Sequence, residues 1–169
     1  MDRRNFSIEW SGRGQARMTE ALAKRLSEHN FKRIHVGIES LSDDILRYFR
    51  KTVSVKDIER FCHLMNKYDI DIIAYFIIGT PIDTEEYLKE LPERIRALGI
   101  KHPYVNILFP SPNTEYYAKL VADKVFKKDY WKEYMDNPTP DFKLPYPYCN
   151  KEYDRIAHYV TNIINEFKT

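Results

Sequence analysis

Residues 71–91 read DIIAYFIIGTPIDTEEYLKEL. Asp71–Ile78 is almost wholly apolar, so it lacks the alternation of a half-buried strand and suits one buried on both faces. Gly79-Thr80-Pro81 ends the run. Asp83 and Thr84 then stand as helix caps, with Glu85 and Glu86 in the first turn, where acidic side chains meet the positive end of the helix dipole. A doubly buried strand that passes at once into a helix is the repeating unit of a parallel α/β sheet.

The same unit recurs on either side. Phe6–Trp10 predicts a short strand, and Met18, Ala21, Leu22 and Leu26 a helix reaching Asn30. Lys32–Glu39 (KRIHVGIE) predicts a second strand and Asp43 to Phe49 a short helix. Ser54-x-x-Asp57 reads as a capping box. It opens a helix with Val55, Ile58, Phe61, Leu64 or Met65, and Tyr68 in one stripe. After the strand at 71–78 come a helix over 84–98, with a kink or restart expected at Pro92, and a strand over Tyr104–Phe109. The expectation for residues 1–124 is therefore four parallel strands in sequential order, flanked by helices. Residues 125–169 read as an aromatic and proline-rich strap followed by an amphipathic helix carrying Tyr153, Ile156, Ala157, Val160, Ile163, Ile164 and Phe167. In the strap, DYWKEYMDNPTPDFKLPYPY (129–148) admits two readings: rings packed on the sheet layers, or base-stacking aromatics between lysines.

Composition narrows the class. A chain of 169 residues holds one domain with a real core. Apolar residues make up 43%, charged residues 31%, and the net charge is +2. So even a balance argues against an electrostatic grip on nucleic acid or an anionic membrane. Ile70–Ile78 is far short of a membrane span. The start, Met-Asp-Arg-Arg, is unlike a secretory leader. Cys62 and Cys149 stand in unrelated contexts, as free thiols of a reducing cytosol do. A cytoplasmic protein is the expectation.

Side-chain alternation then places candidate site residues. In the second strand Ile34, Val36 and Ile38 share one face, and His35, Gly37 and Glu39 the other. In the first, Ser7, Glu9 and Ser11 oppose Phe6, Ile8 and Trp10; in the third, Tyr75, Ile77 and Gly79 oppose Ala74, Phe76 and Ile78. One face thus grows more polar, or loses its side chain, toward the strands' C-terminal ends, where parallel α/β sheets bind ligands. Gly37 and Gly79 would let a ligand approach the backbone. Gly79 has a second reading, as the residue that eases a tight turn. The ligand reading takes Thr80-Pro81 as sufficient for the turn.

Four blocks together resemble the radical S-adenosylmethionine superfamily, in its anaerobic coproporphyrinogen oxidase-like and cobalamin-dependent branches. They are FSIEWSGRG (6–14), RIHVGIESLSDDILRYFRKT (33–52), IIAYFIIGTPIDTEEYL (72–88) and VNILFPSPNTEYYAKL (105–120). The resemblance implies strands three to six of a partial (β/α)6, TIM-like barrel. It also implies S-adenosylmethionine chelated to a [4Fe-4S] cluster on a CxxxCxxC loop, cleaved reductively to a 5′-deoxyadenosyl radical. By position it makes Glu9 and Glu39 liners of the S-adenosylmethionine site and Lys51 the partner of the cofactor carboxylate. Tyr75 would face the ribose and Phe109 the adenine. Glu39 as a cap for the helix near Asp43, and Lys51 as a solvated surface charge, remain the plainer readings. Asn113 stands where a PSPGT-like turn has glycine, and Asn tolerates the left-handed conformation.

Departures from the pattern matter as much. Two cysteines cannot supply three cluster thiolates, and the glycine-glycine-glutamate strand of the family is missing. The resemblance therefore implies the C-terminal part of a radical oxidoreductase, inactive alone. Its partners would be an N-terminal cluster-binding part and a small-molecule substrate, with cobalamin a further cofactor of that branch. Other readings are a hydrolase or lyase using Glu9 and Glu39 as an acid/base pair, and a non-catalytic interaction module. An exposed first strand could also pair edge to edge in a dimer.

Overall fold

A computed structural model describes residues 8–144 and 150–168, with the backbone alone for 150–154. Four strands, β1 (Trp10–Gly14), β2 (Phe31–Glu39), β3 (Asp71–Ile78) and β4 (His102–Ile107), form one sheet in the order β1-β2-β3-β4. Every pairing is parallel. Between them lie α1 (Glu20–Glu28), α2 (Asp43–Tyr48), α3 (Val55–Lys67) and α4 (Glu85–Ala97). The expected α/β architecture and sequential strand order are what the chain adopts.

Local chemistry explains the joints. Thr19, Ser54 and Thr84 are the N-caps of α1, α3 and α4, each hydroxyl accepting a first-turn amide. The box at Ser54 is complete, because Asp57 also accepts the Ser54 amide at 2.9 Å. Each helix-to-strand joint turns on a left-handed residue: Asn30 (φ 61°) before β2, Asp69 (φ 53°) before β3 and Gly99 (φ 69°) before β4. The apolar residue that follows, Phe31, Ile70 or Ile100, is buried. This is how a helix end closes its last carbonyls before the chain re-enters a core. Pro92 neither breaks nor restarts α4, which is one helix from Glu85 to Ala97 with Pro92 on its buried side.

β3 is the centre of the core. Ile72, Ala74, Phe76 and Ile78 are buried on the face that carries Ile34 and Val36 of β2, Ile73 is buried on the opposite face with His35, and α3 buries Ile58, Phe61, Cys62 and Met65. Cys62 thus takes a place in the α3 stripe as a small apolar side chain.

β1 differs from expectation. It begins at Trp10, where Phe6–Trp10 was predicted; Phe6 and Ser7 lie outside the described residues, and Ile8 is 64% exposed. The strand proper is Trp-Ser-Gly-Arg-Gly, and two glycines conceal a strand from propensity. Their bareness has a use. A Cβ on Gly12 would stand 3.2 Å from the Phe31 ring and one on Gly14 3.1 Å from Ile34 Cδ1, so their absence lets the β2 side chains lie over β1.

The chain divides into two compact units, Met1–Ile107 with Tyr159–Thr169, and Leu108–His158. The second holds α5 (Glu115–Ala122) and α6 (Tyr130–Asp136) around Tyr117, Leu120 and Phe126. Its rings pack on one another: Tyr134 and Phe142 stand 4.5 Å apart and Trp131 and Phe142 5.0 Å. α6 forms inside the expected strap, capped by Asp129, whose carboxylate accepts the Lys132 amide. Asn113 takes φ 60°, as its glycine-like position required. α7 (Asn150–Glu166) is the expected C-terminal helix. From Tyr159 it belongs to the first unit, where the Tyr159 hydroxyl donates to Glu85 at 3.2 Å and Arg96 pairs with Glu166 at 2.7 Å. No helix among the described residues is long and apolar enough to cross a membrane.

Candidate functional site

The C-terminal mouth of β2 gathers three of the predicted residues. A bulge between Gly37 and Glu39 inserts one residue, so that Glu39 registers with Phe76 of β3. Glu39 itself takes φ 67°, a left-handed conformation rare outside glycine and asparagine. The combination re-aims its side chain. The carboxylate folds back over Gly37, where a Cβ would collide with Glu39 Oε1. Lys51 Nζ lies 3.0 Å from Glu39 Oε1 and donates to the Gly37 carbonyl at 3.2 Å. Glu39 does not cap α2, whose N-cap is Ser42. Lys51 is not a solvated surface charge, since its side chain is 33% exposed and Glu39's 17%. A non-glycine residue held left-handed at a strand mouth, with a half-buried ion pair across it, is the pattern of a strained functional position.

The mouth of β3 is built differently. Gly79 takes φ 87°, so the glycine makes the turn itself and Thr80-Pro81 does not supply it. Asp83 is no helix cap. Its carboxylate accepts the Gly79 amide at 2.6 Å, the Thr80 amide at 3.1 Å and the Thr80 hydroxyl at 2.5 Å, closing the loop beneath Gly79. Burial pushes the Asp83 carboxyl above its ordinary range, against the pull of those three donors. Folded Asp83 therefore holds its proton more tightly than the unfolded chain does. That contribution is fully present below the ordinary carboxylate value of about 3.9 and is lost as pH rises through the raised one. Asp83→Asn, which does not titrate, should gain on the native chain as pH is raised over that window. Thermal unfolding of both across pH checks this, and a constant difference would rule it out.

Along the same sheet face, one layer below the mouth, Tyr75 registers with Gly37 on one side and Tyr104 on the other. The Tyr75 hydroxyl and His35 Nδ1 are 3.0 Å apart, and the two rings stack at 6.2 Å and 24°. The structure thus assembles Gly37, Glu39, Lys51 and Tyr75 on one face of the first unit, with Gly79 ending β3.

It does not bring Glu9 to them. Glu9 precedes β1, and Trp10 registers with Phe31 at the start of β2. Eight residues of strand separate that level from Glu39, roughly 25 Å at strand rise. The parity assigned to Phe6–Trp10 fails because the strand starts later. A Glu9/Glu39 acid/base pair fails with it, since such carboxylates act across about 5–10 Å. Phe109 lies beyond β4 in the second unit, its ring edge-on to Trp131 at 6.4 Å.

Among the described residues there is no set of three thiolates for a four-iron cluster. Cys62 is buried in α3, and burial pushes its thiol up to about 12, so it rests as a neutral thiol among apolar side chains. Cys149 lies outside the described residues. Among the described residues no three His, Cys, Asp or Glu side chains group as metal ligands.

The family model described as the radical SAM superfamily matches residues 4–95, more than half of the chain. The chain belongs to the radical SAM superfamily. An uncharacterized methyltransferase of Pyrococcus horikoshii is 24% identical over 130 residues, covering 76% of this chain. The chain spans 28% of that relative's length. Among solved structures, the Elp3 protein of the archaeon Methanocaldococcus infernus superposes with a TM-score of 0.59 at 15% identity, over 69% of this chain and 28% of that one. That likeness shows a shared fold, so the radical SAM sheet here is a portion of a TIM-like barrel. The cobalamin-dependent radical enzyme OxsB, solved with aqua-cobalamin and S-adenosylmethionine, covers 98% of this chain and 25% of its own. Its TM-score of 0.47 at 16% identity is too loose a superposition to carry an argument.

Of the residues that shape these strand mouths, His35 and Asp83 were missed as contributors. For His35 the strand parity was in the sequence, but its partner Tyr75 is 40 residues away. Asp83 looked like a cap because it stands beside one.

Proposed function

We propose that this chain supplies the nucleoside-holding face of a radical SAM oxidoreductase acting on a small molecule. The observation that carries the proposal is the Gly37–Glu39–Lys51 cluster at the β2 mouth. There a carboxylate able to accept ribose hydroxyls stands beside a cation able to pair with the methionyl carboxylate, and Gly37 leaves the backbone approachable. S-adenosylmethionine on a reduced [4Fe-4S] cluster supplies hydrogen-abstracting radical chemistry. In this reading the three cluster thiolates come from another polypeptide or segment, because this sequence has two cysteines. The outer edge of β1, unpaired among the described residues, is where that part, or a second copy of the chain, would add.

The chain's own residues divide the work. Lys51 holds Glu39 in its folded-back position, and Gly79 with Asp83 fixes the neighbouring mouth. The test is an amide chemical-shift titration of the chain with S-adenosylmethionine and with adenosine. Saturable shifts at Gly37, Glu39, Lys51 and Gly79 are the expected result. Shifts confined to other residues, or none at saturating ligand, would overturn the assignment.

A further inference from the structure

The face below the β2 mouth carries a second set of groups, of which the nucleoside reading drew on Tyr75 alone. Arg13 of β1 registers with His35 of β2, while Gly12 and Gly14 turn toward Phe31 and Ile34 on the opposite face. Arg13 therefore lies on the side of His35, Gly37 and Tyr75. Tyr104, 54% exposed, continues the row on β4, its ring 5.5 Å from that of Tyr75. Across β1, β2, β3 and β4 the face thus presents a guanidinium, an imidazole and two phenols.

Among the described residues the Arg13 side chain makes no hydrogen bond or ion pair, and the His35 ring bonds through Nδ1 alone, to Tyr75. The carboxylates on this face are engaged elsewhere. Glu39 above is held by Lys51, and Asp71 at the far end of β3 by Arg33 at 3.9 Å and Lys101 at 3.6 Å. What remains between them is a row of donors with no acid of its own. An exposed guanidinium beside an imidazole edge and a phenol matches the oxygens of a carboxylate or phosphate, and Arg offers its fork to both. Stacked rings along the row add a surface for a planar group next to the anion.

We infer that Arg13, His35, Tyr75 and Tyr104 form an oxyanion subsite that takes the carboxylate or phosphate of the substrate, one layer beneath the nucleoside. Arg13 contacts the anion directly. His35 is a positioning residue that fixes the Tyr75 phenol and offers its free ring nitrogen. The subsite stands on the geometry of this face and does not require the nucleoside assignment.

The experiment titrates the chain with phenyl phosphate, benzoate and benzyl alcohol, following the His35 ring and Arg13 side-chain resonances by NMR. Saturable shifts with one or both anions, and none with the alcohol, are expected; which anion binds tighter identifies the group. Arg13→Met should weaken binding at least about tenfold, and Arg13→Lys should keep part of it. His35→Gln should weaken it less and shift the Tyr75 ring resonances. Equal binding of the alcohol, or anion binding unchanged in Arg13→Met, would overturn the subsite. Adenosine shifts at Gly37 and Glu39, recorded on Arg13→Met, report the nucleoside site separately, so the failure of one is not mistaken for failure of the other.

Discussion

Gly79→Val should lower the melting temperature of the chain by about 5–10 °C. Gly79 sits at φ 87° and its amide donates to Asp83 at 2.6 Å. A β-branched residue is a severe outlier in that region, and forcing it there costs about 2–3 kcal/mol. For a domain of this size each kcal/mol is about 2–4 °C. If the glycine served only ligand approach, the variant would melt with the native chain and lose nucleoside binding alone. Thermal unfolding and a calorimetric titration with S-adenosylmethionine, run on the same preparation, separate the two. The backbone angle favours the structural outcome, which reverses what Thr80-Pro81 suggested from sequence.

Lys51→Met should have the second large effect. It leaves the Glu39 carboxylate, 17% exposed, facing Gly37 with no cation. An uncompensated half-buried charge costs about 1–2 kcal/mol once discounted for solvent screening, and binding of S-adenosylmethionine should fall at least about tenfold. Adding Glu39→Gln to Lys51→Met should return much of the stability but none of the affinity, because the pair then carries no unmatched charge. Urea unfolding of the single and double variants measures the coupling. Additive losses would mean that Glu39 and Lys51 are independent, and that the cluster is not a unit.

The sheet was legible where burial alone decides. Ile72–Ile78 are seven successive apolar residues, which suits a buried strand between Asp69 and Gly79; the strand runs as expected. β1 was displaced because Gly12 and Gly14 carry no strand signal, and their value lies in the room they leave for Phe31 and Ile34. α6 was hidden by the prolines at 138 and 140, which follow the helix and do not interrupt it. At the site, alternation put Gly37 and Glu39 together, but the way Glu39 arrives there is not written in a two-residue period. A bulge and a left-handed backbone set it, and both depend on the partner strand. Lys51 becomes a site residue only once α2 brings the chain back over β2. Arg13, by contrast, follows directly once the start of β1 is known.

The folded-back carboxylate also shapes how this chain can change over generations. Glu39 Oε1 fills the space that a side chain at residue 37 would need. The two positions are therefore coupled through the placing of that carboxylate. An alanine at 37 makes the Glu39 carboxylate swing aside, and a carboxylate that swings aside leaves Lys51. Substitution effects at 37, 39 and 51 depend on the order in which they occur, and a scan of single replacements would assign each position a tolerance it does not have alone.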